Sequence, residues 1–234
     1  MKDTLLILAS GSPRRRELLG VLGMPFEVHA AGVDETPNPD EAPEACVQRL
    51  AREKATPPPA PPLLKNTAGE GRETIVIAAD TIVVLDGEIL GKPRDAAEAA
   101  AMLRRLRGRA HEVMSAIAVV NTATGERREA LCRSEVRMRE YSAAEIAGYV
   151  AGGDPMDKAG AYAIQHDDFR PAQHFSHCYA SVMGLPLCHL TRALRQLGAE
   201  PPADVPTACQ QFNDYQCPIY QEILEPKNTK TQGL

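Results

Sequence analysis

No stretch of this 234-residue chain approaches the ~20 apolar residues that a membrane-spanning helix requires, so the sequence predicts no membrane partner. The amino end offers only the apolar run Leu5 to Ala9, too short for the core of a secretory signal. The expected location is therefore the cytoplasm. There is no surplus of positive charge either: 26 Lys and Arg stand against 31 Asp and Glu, a net charge of -5. A broad electrostatic grip on nucleic acid, which needs clustered cations, is accordingly not expected. The six cysteines, Cys46, Cys132, Cys178, Cys188, Cys209 and Cys217, contain no C-x-x-C pair. Reduced structural thiols are the reading for all of them, including the Cys209 and Cys217 spacing near the carboxyl end. Internal repeats are also missing.

What is present is a chain long enough to fold without disulfides or a structural metal, with 44% hydrophobic and 24% charged residues. Leu5 to Ala9 is a short apolar strand closed by Ser10-Gly11-Ser12-Pro13, a tight turn that opens a helix with proline in its first position. Leu18, Leu19 and Leu22 give that helix its apolar face, and Gly23 with Pro25 stops it. Phe26 to Ala30 reads as a second strand leading into the acidic turn Gly32-Val33-Asp34-Glu35. Glu44 to Lys54 reads as a helix with Ala45, Val47, Leu50 and Ala51 as its buried stripe. Five of the six residues from Pro57 to Pro62 are proline, so an exposed linker or insertion over 56–73 is predicted there.

Thr74 to Leu85 is a second apolar run, interrupted by Asp80 and followed by the hairpin turn Asp86-Gly87. Ala96 to Leu106 forms a helix, Val113 to Val120 and Ala130 to Met138 form strands, and Ser142 with Glu145 is a capping box. His189 to Leu197 reads as a final helix, beyond which Pro201, Pro202, Pro206 and Pro218 break any long pattern. Strands alternating with helices and interrupted by hairpins predict an α/β fold, a mixed sheet with helices packed on it.

Three stretches carry chemistry. The opening turn of the first helix holds Arg14, Arg15 and Arg16, although the positive end of the helix dipole disfavours cations by about 0.3 to 1 kcal/mol each. A local cost of that kind points to function. With the hydroxyls of Ser10 and Ser12, free backbone N–H groups and planar guanidinium groups, the turn suits phosphate binding. The plainer alternative for the same residues is that Ser12 only caps the helix and the arginines face water. Asp80 is a carboxylate inside an apolar strand, which must be paired, hydrogen-bonded or metal-bound. Glu35, Lys54 and Lys92 are charged residues whose meaning depends on what surrounds them. Finally, Asp157-Lys158-Ala159-Gly160-Ala161-Tyr162-Ala163-Ile164-Gln165 gathers small residues around Gly160, allowing close approach, with an amide at its end that can read a base edge.

Taken in order, Leu8-Ala9-Ser10-Gly11-Ser12-Pro13-Arg14-Arg15, Ala51-Arg52-Glu53-Lys54-Ala55, Ala79-Asp80-Thr81, Gly91-Lys92-Pro93-Arg94-Asp95, Asp157-Lys158-Ala159-Gly160 and Val182-Met183-Gly184-Leu185-Pro186-Leu187 resemble the successive blocks of the Maf family of nucleoside triphosphate pyrophosphatases. The resemblance covers Leu5 to about Gly198, so residues 1–198 are expected to form the nucleotide domain and 199–234 an extension. It implies a deep substrate cleft beside the mixed sheet, a nucleoside triphosphate as partner, a divalent cation (Mg²⁺ or Mn²⁺) as cofactor, and a homodimer as candidate assembly. Asp80 matches the family's proton acceptor. Ser12, Arg15, Glu35, Lys54 and Lys92 fall where the family lines its phosphate and metal cleft, with Glu35 and Asp80 as metal ligands. Arg14, Thr81 and Gln165 match positions tied to base selection and resemble the subgroup acting on dTTP and UTP.

After Gln165 the sequence departs from the family pattern with His166-Asp167-Asp168-Phe169-Arg170-Pro171, then His174, His177 and Cys178. A loop is expected there ahead of a His/Cys zinc cluster, since no fixed ligand spacing is present. The altered loop keeps two other readings open, a purine-directed or broad house-cleaning pyrophosphatase and a nucleotide-binding regulator of cell division with little turnover.

Overall fold

The computed structural model describes residues 4–56 and 73–225; the proline-rich stretch Pro57 to Pro62 lies outside the described residues. Strand β1 (Thr4–Leu8) leads through the Ser10 turn into α1 (Pro13–Gly20), followed by β2 (Phe26–Val28) and α2 (Pro43–Ala55). Next come β3 (Glu73–Leu85), β4 (Glu88–Leu90), α3 (Ala96–Leu106), β5 (Ala110–Asn121), β6 (Arg127–Met138) and α4 (Ala143–Ala151). Two short 3₁₀ turns, Asp154–Asp157 and Ala159–Ala161, precede β7 (Ala172–Gln173), α5 (Tyr179–Met183), α6 (Leu187–Gln196), α7 (Val205–Phe212) and α8 (Tyr220–Leu224).

The seven strands form one mixed sheet in the order β2-β1-β3-β5-β6-β7, with β4 also paired to β3. Strand β1 is parallel to both β2 and β3, whereas β3, β5, β6 and β7 run antiparallel in succession. The sheet is therefore the expected mixed one with helices packed on it. Alternation along β3 divides its side chains between two layers, because successive residues of a strand point to opposite faces. Ile75, Ile77 and Ala79 join Leu18, Leu19, Leu185, Leu190 and Leu194 on the α1 and α6 side. Val76, Ala78, Ile82 and Val84 join Val47, Ala51 and Ala55 of α2 on the other. A third cluster gathers Val83, Leu85, Leu103, Tyr141, Tyr149, Tyr162 and Phe169 around α3 and α4.

Local rules account for most element ends. Pro13 starts α1. Both hydrogen bonds of the Ser142 and Glu145 capping box are made. Asp86 and Gly87 both have positive φ, at 54° and 81°, as the favoured hairpin turn demands. Two expectations need correction. On α2 the buried stripe uses Cys46, fully covered, in place of Ala45, which is exposed. The tail beyond Gly198 is more regular than its prolines implied: Pro206 sits in the first turn of α7, where its missing N–H costs nothing. Val205 and Ile223 bury that tail against the body.

Candidate active site

The site grows out of an interruption in the sheet. Strand β1 pairs with β3 only as far as Leu8 opposite Ile77, and β4 begins its pairing at Val83. Between them, residues 78–82 of β3 have, among the described residues, a strand neighbour on the β5 side alone. The gap lies at the carboxyl end of the parallel strand β1, the position where α/β sheets characteristically bind ligands. The Ser10 to Ser12 turn and the start of α1 border it, and Asp80 and Thr81 occupy its middle. Because they are neighbours on a strand, Asp80 points toward α2 and Thr81 toward α1.

On the α2 side, the Lys54 ammonium group is buried, 6% exposed, and donates to Asp80 Oδ1 at 2.6 Å and to Glu35 Oε1 at 2.5 Å. The second Glu35 oxygen accepts from Lys92 Nζ at 3.1 Å. The two lysines hold the Glu35 carboxyl at about 2 against the burial that would raise it. Glu35 is presented by a turn in which the Asp34 carboxylate accepts from the Thr36 backbone N–H at 2.9 Å and its hydroxyl at 2.6 Å. A single chain of contacts thus joins Glu35, Lys54, Asp80 and Lys92.

On the α1 side, Arg15 is fixed at three points. Its Nε donates to Gly184 O at 2.9 Å, one terminal nitrogen to Ser10 Oγ at 3.2 Å and the other to Thr81 Oγ1 at 3.3 Å. A guanidinium has five N–H donors, so two remain for a ligand. Burial lowers its pKa, and the opposing attraction of Asp80 and Glu35 places those carboxylates within electrostatic reach. Gly184 has φ of +116°, and a Cβ there would sit 3.3 Å from Arg15 Nε; glycine thus permits both the turn and the close approach. Arg14 reaches Asp157 at 3.5 Å, while Arg16 is exposed. Ser12 does cap the helix, through a long 3.5 Å contact from the Arg15 N–H. Of the plainer alternative, the Ser12 cap is made and Arg16 faces water.

These groups line a cleft of about 590 Å³ that includes Ser12, Arg14, Arg15, Thr81, Lys92 and Gln165. The lining also includes Asp157 and Lys158 and an apolar wall of Val83, Val113, Tyr162, Ile164, Val182 and Met183. The Gln165 amide is half-buried in this wall. Gly160, at φ +69°, brings the wall against Val83, whose Cγ1 would lie 3.0 Å from an added Cβ. Its N–H donates to Gly91 O at 3.0 Å, tying the wall to the Lys92 loop. Lys54, Glu35 and Asp80 adjoin the cleft through the contact between Glu35 and Lys92.

Three residues outside the expected set also shape the site. Ser10 holds Arg15, and its hydroxyl was legible in the turn sequence. Lys158 is buried and ties Asp154 and Asp157 together at 3.0 and 2.7 Å, a role visible in sequence only as a charged residue among small ones. Ser115 supports Thr81 at 2.8 Å; nothing in the pattern of β5 distinguished it. The His166 to Pro171 segment is a turn stabilised by His166 Nδ1 accepting from the Phe169 N–H at 3.0 Å and by Phe169 stacking on Tyr149 at 4.2 Å. Among the described residues, no three His, Cys, Asp or Glu side chains gather to hold a metal. The cysteines are free thiols, and burial pushes Cys188 up to about 12 and Cys209 to about 11.

A model of the Maf-like protein family matches residues 5–197, from the first strand to the end of α6. A dTTP/UTP pyrophosphatase of Thermomicrobium roseum is 44% identical over 220 residues, covering 92% of this chain and 93% of that relative. One from Methylococcus capsulatus is 46% identical over 198 residues, 84% of this chain and 93% of the relative. Another, from Salmonella typhimurium, is 45% identical over 196 residues, covering 84% and 94%. With the family match spanning the sheet, the cleft and both charged clusters, the chain belongs to the Maf family.

Proposed function

We propose that this protein hydrolyses dTTP, UTP and close modified relatives to the nucleoside monophosphate and pyrophosphate. The observation that carries the reading is the junction of two clusters in one gap of the sheet. Arg15, with two N–H groups still to spend, lies within electrostatic reach of a carboxylate pair already converging on a cation. The relatives named as dTTP/UTP pyrophosphatases support the choice of nucleotide.

In this reading Ser12, Arg15 and Lys92 hold the triphosphate, and the base lies against the apolar wall, where Arg14, Thr81 and Gln165 select it. Attack of water on the α-phosphorus requires a group to take its proton, and Asp80 is the carboxylate assigned to that role. Pyrophosphate departs with its charge offset by Arg15, Lys54 and Lys92. Glu35 and Asp80 each place an oxygen within 2.6 Å of one cationic nitrogen, an all-oxygen, doubly acidic donor set that fits Mg²⁺ or Mn²⁺. When bound there, such a cation supplies charge neutralisation on the phosphates. Lys54 keeps the two carboxylates together, and so holds the ligand set ready.

No residue of 199–225 lines the cleft, so the activity is assigned to residues 1–198, with 199–234 as an extension. No helix among the described residues is long and apolar enough to cross a membrane. Cytoplasmic placement, where nucleotides and reduced thiols coexist, belongs to the same proposal. The deciding experiment incubates the purified protein with Mg²⁺ and a panel of nucleoside triphosphates and scores pyrophosphate against orthophosphate. Pyrophosphate from dTTP and UTP is the expected outcome; release of orthophosphate, or no turnover of either, refutes the proposal.

A further inference from the structure

Ser115 is wholly buried on β5, directly opposite Thr81 in the register of β3 and β5. Its hydroxyl donates to the carbonyl oxygen of Ser181 at 2.7 Å. A carbonyl only accepts, so the single Ser115 proton is committed. The 2.8 Å contact between the Ser115 and Thr81 hydroxyls must then be made with the Thr81 proton. Thr81 in turn accepts from Arg15 at 3.3 Å. With its proton spent and one lone pair occupied, Thr81 can offer the cleft a lone pair and nothing else.

We infer that Ser115 is a positioning residue that fixes Thr81 as an obligate acceptor and thereby selects a uracil or thymine ring over a cytosine ring. The inference rests on the proposal that the base lies against the apolar wall of the cleft. Uracil and thymine carry a ring N3–H between two carbonyl oxygens; cytosine carries an unprotonated N3 in the same place. Arg14 can only donate and Thr81 can only accept, so the site's polarity is set by proton count rather than by shape. That pattern pairs with an N–H flanked by carbonyls and opposes a bare ring nitrogen. Gln165, whose amide does both, adapts to whichever edge is present and cannot enforce the choice alone. The pyrimidine rings are nearly identical in size, so discrimination between them has to come from such polarity.

Two variants test this. Ser115→Ala frees the Thr81 hydroxyl to turn its proton into the cleft, and Thr81→Val removes the hydroxyl at nearly constant shape. For each variant and the parent, kcat/KM for pyrophosphate release and calorimetric Kd are measured with UTP and CTP, and folding is checked by thermal melting. The parent is expected to prefer UTP. Both variants should lower the UTP to CTP ratio about tenfold, the scale of one mispaired hydrogen bond, with the change in KM and Kd rather than in kcat for UTP. A merely structural role would weaken both nucleotides equally, and an unchanged ratio in either folded variant overturns the inference. Should the parent bind UTP without releasing pyrophosphate, the hydrolytic proposal fails while the Kd ratio still decides the role of Ser115; binding of neither nucleotide overturns both.

Discussion

Removing either member of the Lys54 and Asp80 pair should stop turnover, yet the two losses should differ sharply in stability. Lys54 is 6% exposed and Asp80 8%. Lys54→Met strips the buried carboxylate of its cation, and breaking a buried pair in this way costs about 3 to 5 kcal/mol. In a protein of this size that corresponds to a fall in Tm of roughly 6 to 20 °C. Asp80→Asn is milder, because Lys54 keeps Glu35 at 2.5 Å and an amide oxygen can still accept its proton. The expected cost is about 1 kcal/mol, or roughly 2 to 4 °C. Its effect on rate should be large. Loss of a general base is typically worth 10² to 10⁴, about 3 to 5 kcal/mol of barrier, with further loss through weakened metal binding.

The assay is therefore paired: melting of both variants, pyrophosphate release from dTTP, and binding of a non-hydrolysable dTTP analogue. The signature of a catalytic carboxylate held by a structural lysine is an inactive, stable, ligand-binding Asp80→Asn beside an inactive, destabilised Lys54→Met. Near-wild-type turnover by Asp80→Asn would falsify the assignment of Asp80 as base. An Asp80→Asn melting point as low as that of Lys54→Met would show instead that the carboxylate serves the fold.

His111 is buried against Tyr162, its pKa lowered to about 4 by burial. It stays neutral in the folded chain while the unfolded chain takes up a proton below about pH 6.5. Stability tied to it is thus full above that pH and is lost as pH falls toward 4, by up to about 3 kcal/mol. Urea unfolding at pH 7 and 4.5 should show a smaller loss in His111→Gln; an identical loss refutes the account. Ser142→Ala removes the cap that accepts from the Glu145 N–H at 3.2 Å and should cost about 1 kcal/mol, measured by denaturant midpoint at unchanged slope. Gly160→Ala forces a Cβ onto Val83 at positive φ and should cost about 2 to 3 kcal/mol. It should also raise KM, since the wall and the Lys92 loop move together; a stable variant with unaltered KM would disconnect that wall from the substrate.

Residues whose role depends on neighbours in sequence were the legible ones. Pro13, the Ser142 and Glu145 box and the Asp86-Gly87 turn each declare a local backbone geometry, and each element forms where that chemistry requires. Asp80 was conspicuous for a similar reason, since a carboxylate in an apolar strand has to be satisfied somewhere. Its partner was not readable: Lys54 is 26 residues away, and only the packing of α2 on β3 makes them meet. Ser115 was invisible because a serine on a strand has no pattern of its own until Ser181, far along the chain, supplies its acceptor. The tail helices were missed because each is short, at eight and five residues, and is held by burial of Val205 and Ile223 rather than by its own periodicity.

The period of a β-strand explains why one dipeptide serves two chemistries. Asp80 and Thr81 are adjacent, yet they face opposite layers: one meets the lysine of α2, the other the arginine of α1 and the serine of β5. Elsewhere along β3 that alternation only divides the core between two sets of helices. In the gap between Ile77 and Val83 no neighbouring strand among the described residues covers the β1 side, so both faces can address one space from above and below. In the proposed reaction, charge handling and base reading are thereby separated by a single peptide unit without a loop to position either. The arrangement makes register decisive. A one-residue slip of β3 against β5 would turn Asp80 toward the apolar, α1-facing layer and Thr81 toward Lys54, leaving a buried carboxylate unpaired and the lysine with Glu35 as its remaining anion. The ten paired positions from Ile75 to Val84, each committed to a face by its own burial, are what prevent that slip. The long apolar strand is thus as necessary to the site as the charged residues it carries.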